Sequence, residues 1–477
     1  MKVLHLNGLE ITTENQEVVY NALDTLQTFA LKRLFDGGVL PKWAQTGVTY
    51  SEKMLGPVLT MMRRGVQIDV ARRDQLVEVL AGRRSKVIAT FDRLCTELFG
   101  TTVNWNSTPQ LKVLFYSFLG IPEQTRSKKG EVKVATDREV LERIAGSYPR
   151  GAVFANIILR IRDLESQVEF LTKKLSATNR FHTSYNIAGT ETWRLSSSEH
   201  PLRIGSNQQN IPKSARECFV SDPDYLFFQA DQQGAEARLV AYLTGDENYI
   251  AAVEGGDSHT MVASMVFGFP PERELAEREY YRGYTYRDIT KRGAHGSNYY
   301  GKPFTLAQQM KVEVGVAEAF QAMYFKRFPG IAEWHAWVAK QLQQKGYLET
   351  PFGMRRTFWG RRWDDSTLRE AIAFVPQHCV GVLTNLGLHK LWSKYEGRSK
   401  PLVQILMNGH DAVIGQIRKD AADDIIPQVL EDLRMPFPVT DIHGRVREIT
   451  IPFDMELGLN WGKSGEANPG GLRKWKK

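Results

Sequence analysis

Cysteine is scarce in this sequence: Cys95, Cys218 and Cys379 are the only three, odd in number and far apart. No CxxC pair or Cys/His cluster accompanies them, which argues against a disulfide framework and a structural zinc site. Long apolar runs are missing as well. None approaches the roughly 18 residues that cross a bilayer. The opening MKVLHLNGLEITTENQ is too polar for a secretory signal and too acidic for a typical transit peptide. The expectation is a soluble, cytoplasmic protein with no membrane partner. Internal repeats and long low-complexity tracts are also absent.

What is present is ordinary globular material. The 477 residues are 42% hydrophobic and 24% charged, enough for two to four domains or subdomains. Lys and Arg exceed Asp and Glu by 62 to 54, a formal net charge of +8. That is a mild pointer to a polyanionic partner.

Residues 1–48 read as an incomplete unit built around the helical pattern ENQEVVYNALDTLQTFALKRLF. From Ser51 to about Lys174 the chain is helix-rich. SEKMLGPVLTMMRRGVQID and AVFANIILRIRDLESQVEFLTKKL both place apolar residues three and four apart. Between them, RSKKGEVK (126–133) reads as a basic loop. From residue 181 short strands, turns and glycines take over, and a helical block intervenes at 246–345. GYLETPFGMRRTF (346–358) reads as a hairpin, and GKSGEANPGGLRKWKK as a mobile basic tail. The texture predicts an α+β protein with a helical arm, a mixed body and a helical insertion within that body.

Three stretches carry chemistry. In ILMNGHDAVIGQI (405–417) two apolar, strand-like runs flank Gly409, His410 and Asp411. An Asp at a bend is most often turn chemistry, bonding its own backbone. Asp231 changes the balance. In YLFFQADQQGAEARLVAYLTGD (225–246) a strand of large apolar residues ends on this acid, and a glycine leads into an amphipathic helix. Two carboxylates on neighbouring strands could hold two divalent cations, roughly 3.5–4 Å apart, that clamp the attacking and leaving oxygens of a phosphoryl displacement. Mg²⁺ suits that role, being bound by few carboxylates plus substrate phosphates. In RDITKRGAHGSNYYG (287–301), Arg287, Lys291, His295 and Tyr299 are each four apart and form one drifting helix stripe. Two cations followed by two rings suit a triphosphate at one end and a base at the other. A solvated basic face is the plainer reading, but it has no use for Gly293 and Gly296, which cost helix stability. They predict that something packs close to that backbone.

In this order the three stretches resemble the signature motifs of family A DNA polymerases, the bacterial DNA polymerase I family. GPVLTMMRRGVQID, NWNSTPQLKVLFYSFLGIP, FHTSYNIAGTETWRLSSS and NQQNIP resemble that family's thumb and thumb–palm junction, so the likeness runs from about residue 50 to 462. It implies a right-hand fold. Residues 1–48 would be an inactive remnant of a 3′–5′ exonuclease domain, 49–180 the thumb and 246–345 the fingers. Residues 181–245 and 346–477 would form the palm with its antiparallel sheet. By the same resemblance Asp231 and Asp411 are the catalytic aspartates that hold two Mg²⁺ ions, for which Mn²⁺ could substitute. Lys291 is the general acid toward pyrophosphate, and Glu236 blocks a ribose 2′-hydroxyl. Arg216, His259, Arg287 and Lys291 meet the triphosphate, His295 the nucleotide, and Tyr299 lies beside the templating position. Arg194, Arg369, Gln377 and His410 lie near the primer end and minor groove. Lys128, Lys129, Lys173 and Lys174 could touch backbone phosphates without reading sequence. The implied partners are primer–template DNA, deoxynucleoside triphosphates and a separate exonuclease or replication protein.

The sequence also departs from the family pattern. Ala412 occupies the place of a usual glutamate after His410-Asp411. His295 replaces Phe or Tyr at a position the family uses in sugar selection. Gly234 replaces a polar residue, and Trp193 and Tyr300 occupy positions usually or often held by glycine. These changes resemble viral members more than bacterial ones. YNALD (20–24) resembles the last motif of the family's proofreading exonuclease, through Tyr20 and Asp24. Only 19 residues precede it, too few for that site's other carboxylates, so the exonuclease is expected on another chain or removed. The reading is a template-directed DNA polymerase without intrinsic proofreading. Two alternatives accompany it. A single-subunit RNA polymerase relative is opposed by Glu236. A non-catalytic primer–template-binding subunit is favoured by Ala412 and opposed by Asp231, Asp411 and Lys291.

Overall fold

The computed structural model describes the chain except residues 1–3, 7–8, 12–25, 27–28, 30–31, 34–36, 39, 129–130, 398–399 and 476–477. Tyr20, Asp24 and Lys129 therefore lie outside the described residues, as does the side chain of Lys128.

The site is positioned by a five-stranded antiparallel sheet. Its order is Val403–Asn408, Ala412–Arg418, Tyr225–Gln232, Phe453–Gly458 and Arg473–Lys474. The central strand is apolar on both faces because both are covered. Phe228 and Ala230 join one core with Val413, Leu388 and Ile426. Phe227 joins another with Leu406, Ile414 and Trp461. The helix Asp365–Tyr395 lies against this sheet and carries Pro376 in its interior. It is long and apolar enough to cross a membrane by length and composition, contrary to the reading of the sequence. However, 83% of its most apolar window is buried within the protein, which makes it a core helix.

Seven helices lie between Glu247 and Gln344, with a small ribbon, Glu279–Tyr281 paired to Tyr284–Thr285, among them. They share a core of Tyr249, Ile289, Phe320, Tyr324, Phe328 and Ile331 that continues into Phe374 of the long helix. The hairpin expected at 346–358 forms from Tyr347–Glu349 and Arg355–Thr357.

The helical arm begins with Lys42–Arg64, which ends where Gly65 adopts φ 59°. A short strand, Val66–Ile68, follows. Asp69 then caps the helix Val70–Phe99 by accepting the Arg72 N–H at 2.9 Å, a bond typical of helix starts. Arg138–Ser147 and Pro149–Leu171 complete the arm around Phe91, Phe115, Ile144 and Phe154.

Two further expectations are corrected. The stretch read as a basic loop supplies both arms of a β-hairpin, Thr125–Lys128 against Glu131–Val134. The β-branched Thr125 and Val134 at its ends favour pairing. The C-terminal stretch is anchored through Trp475. Arg473 pairs with Leu457 and Lys474 with Glu456, Leu472 is buried, and the Trp475 N–H donates to Met455 at 2.8 Å. Backbone pairing and the apolar side chains of Leu472 and Trp475 hold it where charge alone suggested freedom.

Candidate active site

Asp231 is the penultimate residue of the central strand. Ala412 faces it across one edge and Asp454 across the other. Asp411 sits at the bend before Ala412, and its carbonyl accepts the Gln232 N–H at 3.1 Å. The bend is held from below. His410 has φ 69°, and its N–H donates to the Asn408 side chain at 3.1 Å. Buried Asn408 is fixed in turn by Asn385 and Gln209, each at 2.9 Å. Two acids more than 150 residues apart thus meet at one end of the sheet.

Neither carboxylate makes a hydrogen bond or ion pair among the described residues. The result is visible in Asp231, whose carboxyl is pushed up to about 7 by burial first, then by Asp411, Glu456 and Asp454. Adjacent acids that lack a counter-charge disfavour ionisation and favour a cation. No group of three His, Cys, Asp or Glu side chains converges to cage a metal among the described residues. Two carboxylates with open positions fit an ion that completes its shell with water and phosphate oxygens, as Mg²⁺ does.

The helix Tyr286–Asn298 faces this end of the sheet. Its start is fixed by a capping box between Thr285 and Asp288. Its close packing bears out the reading of the two glycines. A Cβ on Gly293 would lie 2.4 Å from the Phe320 ring, and one on Gly296 2.2 Å from Leu306. Lys291 and His295 project outward from the same helix, exposed. Just past its end, the Tyr299 hydroxyl donates to Glu236 at 2.8 Å. Arg194 donates to the other Glu236 oxygen at 3.0 Å, and His295 Nδ1 lies 3.8 Å from the oxygen that Tyr299 bonds. Burial, then Glu236, raises the Tyr299 phenol well above its usual value, so it stays a donor.

Two clefts meet here. One, of about 240 Å³, is lined by Glu236, His259, Lys291, His295, Tyr299 and Asp411 among others. The second, about 440 Å³, is lined by Arg194, Gln209, Glu236, His410 and Asp411, with further polar side chains. Glu236 and Asp411 belong to both. Burial, then Arg287 and Lys291, lowers the His259 imidazole. Burial, then Arg194, lowers that of His410, with Asp411 opposing. Both rings are thereby biased toward the neutral form.

The family model for DNA polymerase family A matches residues 74–463. The chain belongs to DNA polymerase family A. Among its relatives are the thermostable DNA polymerase I of Thermus filiformis, 29% identical over 427 residues, and that of Thermus aquaticus, 29% identical over 433. Each alignment covers 86% of this chain and 47% of the relative. The DNA polymerase I of Chloroflexus aurantiacus is 28% identical over 478 residues, 94% of this chain and 46% of its own. This family A chain therefore spans about half the length of the curated relatives it matches. These relatives are bacterial and lend no support to the viral comparison. The fold is similar to a solved structure titled "POL domain of Pol1 from M. smegmatis complex with DNA primer-template and dNTP". Its TM-score is 0.68 at 23% identity, covering 85% of this chain and 69% of that one.

Within this family A chain, the clefts gather eight of the site residues singled out from sequence, Asp411, Arg194, Glu236, His259, Lys291, His295, Tyr299 and His410, while Asp231 lines neither and sits beside them on the strand end. Others lie apart. The Arg216 guanidinium stacks 4.2 Å over Trp461, burial lowers its pKa, and it lines neither cleft. Arg287 is tied to Asp257 at 3.2 Å. Arg369 is exposed near the start of the long helix, and Gln377 is half-buried further along it. Missed by the site reading were Asp454 and Glu456, which crowd Asp231, and Asn207, Gln209 and Asn210, which line the second cleft. The NQQNIP stretch was a usable signal for the last three.

The departures also find physical meaning. Trp193 and Tyr300 have φ 63° and 59°, where glycine is most at ease. Trp193 is compensated by edge-on contact with Tyr50 at 5.6 Å and by Asn385, which donates to its carbonyl at 3.2 Å. Gly234, at φ 57°, opens the helix that carries Glu236.

Proposed function

We propose that this chain is a template-directed DNA polymerase that extends a primer 3′-hydroxyl with deoxynucleoside triphosphates. The observation that carries the reading is the meeting of Asp231 and Asp411 at one end of the sheet, neither paired among the described residues, with Asp411 lining both clefts and Lys291 lining one of them. The palm is assigned to 181–245 and 346–477, which supply the five-stranded sheet. The fingers are assigned to 246–345, the thumb to 49–180, and residues 1–48 to an exonuclease remnant. The thermostable and other bacterial DNA polymerase I relatives support the reading, as does a fold similar to one solved with primer–template and dNTP. A soluble enzyme of the cytoplasm is the corresponding setting.

Asp231 and Asp411 would hold the Mg²⁺ ions. When bound, these supply Lewis-acid stabilisation of charge on the attacking and leaving oxygens. The remaining work falls to positioning and fixed charge. Lys291 reaches the leaving side and gives its proton to pyrophosphate. His259 and Arg287 flank the same phosphates. Tyr299 and Arg194 hold Glu236 rigidly, so that its carboxylate fills the space of a 2′-hydroxyl. His410, Arg194 and the polar lining of the second cleft hold the primer end. Among the residues singled out, only Tyr20 and Asp24 resemble proofreading machinery, so the chain is proposed to extend without excising a mispaired end.

Primer extension tests the reading. Wild-type protein should extend with deoxynucleotides and poorly with ribonucleotides. Asp411→Asn should bind primer–template but not extend it. Extension that persists in Asp411→Asn sinks the metal assignment, and tight binding without extension in the wild type would favour the non-catalytic alternative.

A further inference from the structure

The loop at 358–364, between the strand Arg355–Thr357 and the helix Asp365–Tyr395, carries a feature the site does not use. Trp359 is 92% exposed and Trp363 78%, the two most exposed large apolar side chains among the described residues. Between them lie Arg361 and Arg362, both exposed. Neither arginine makes an ion pair among the described residues. The platform has a firm base. Phe358 is buried, its N–H donates to Gly346 at 2.9 Å, and the Arg362 guanidinium lies directly over the Gly346 backbone.

Its place follows from two contacts. Asp365 meets Lys302 at 3.2 Å, and Lys302 lies 4.4 Å over the Tyr300 ring. The loop therefore abuts the segment just beyond Tyr299, on the finger side of the cleft. At its other reach, the helix Asp365–Tyr395 touches the catalytic strand where Thr384 accepts from Gln232 at 2.7 Å. At 1.5 Å per residue the two points are ~28 Å apart along the helix.

We propose that Trp359 and Trp363, with Arg361 and Arg362, form a stacking platform for the single-stranded template ahead of the primer end. The inference rests on the polymerase reading. Exposed indoles interleaved with guanidiniums match unstacked bases on a phosphate backbone. A duplex offers the indoles no open base face, because its bases are already stacked on one another. On a primer–template, the single strand is the uncopied template. At 3.4 Å per nucleotide, ~28 Å corresponds to at most roughly eight nucleotides, and the benefit of a longer overhang should level off near that length.

The test compares binding to primer–templates with a single-nucleotide and an about ten-nucleotide 5′ template overhang. Wild-type protein should bind the longer one at least about tenfold more tightly, from stacking of one or two bases. The double variant W359A/W363A should lose that gain while binding and extending the short-overhang substrate like wild type. W359F/W363F should restore most of it, and R361Q/R362Q should reduce it and flatten its salt dependence. No overhang-dependent gain in the wild type, or an equal gain in W359A/W363A, overturns the proposal. Failure of the polymerase reading would show separately, as no extension on either substrate. The platform would then be decided by tryptophan fluorescence with single-stranded oligothymidylate. Quenching lost in W359A/W363A supports it, and quenching unchanged in that variant, or absent from the wild type, overturns it.

Discussion

Replacing Asp231 by Asn should make the metal-free protein more stable while destroying its activity. The Asp231 carboxyl is raised from 3.8 to about 7 by burial and by three neighbouring acids. In a sealed site that would be worth about 4 kcal/mol at 1.36 kcal/mol per pH unit. Asp231 is more than a third exposed, and solvent screening reduces the figure to ~1–2 kcal/mol. The sign follows from linkage. Below about pH 4 the carboxyl is neutral folded and unfolded, and contributes nothing. Between about 4 and 7 the unfolded chain ionises first, so stability falls as pH rises; above 7 the full penalty is present. Asp231→Asn removes that penalty. Thermal melts in chelator should show the variant ~1–3 °C above wild type at about pH 8 and level with it at about pH 4. Adding Mg²⁺ should raise the wild-type midpoint and leave the variant nearly unmoved, because ligand stabilisation requires a site. A variant that melts at or below wild type at pH 8, or gains equally from Mg²⁺, would refute the charge-crowding argument.

Other perturbations test the surrounding parts. Glu236→Ala should raise ribonucleotide relative to deoxynucleotide incorporation by about tenfold or more, and an unchanged ratio removes its role against the 2′-hydroxyl. Gly293→Leu should destabilise by ~1–3 kcal/mol through collision with Phe320, seen as a lower denaturation midpoint alongside weakened extension. Ala412→Glu would add one more carboxylate, directly opposite Asp231. Like charges facing across a strand pair repel, so its midpoint should fall in chelator and recover on adding Mg²⁺; recovery without Mg²⁺ would contradict the cross-strand placement.

Sequence by itself determined the local grammar of this protein. Apolar runs that end on Asp231 and Asp411 mark two strand ends, helical spacing puts Arg287, Lys291, His295 and Tyr299 on one stripe, and two glycines mark close packing, which Phe320 and Leu306 supply. These are short-range signals, written by periodicity and backbone preference within a dozen residues. Tertiary structure alone decided which distant segments share a surface. Strand register set Asp454 beside Asp231 across more than 200 residues, and it drew a basic C-terminal stretch into the sheet. Packing turned Arg216 onto Trp461, lodged Arg287 against Asp257, and left Trp359 and Trp363 in water. Pairing and burial depend on contacts between parts of the chain whose local patterns carry no record of one another, so the charge environment of the acids could be seen only once the chain was folded.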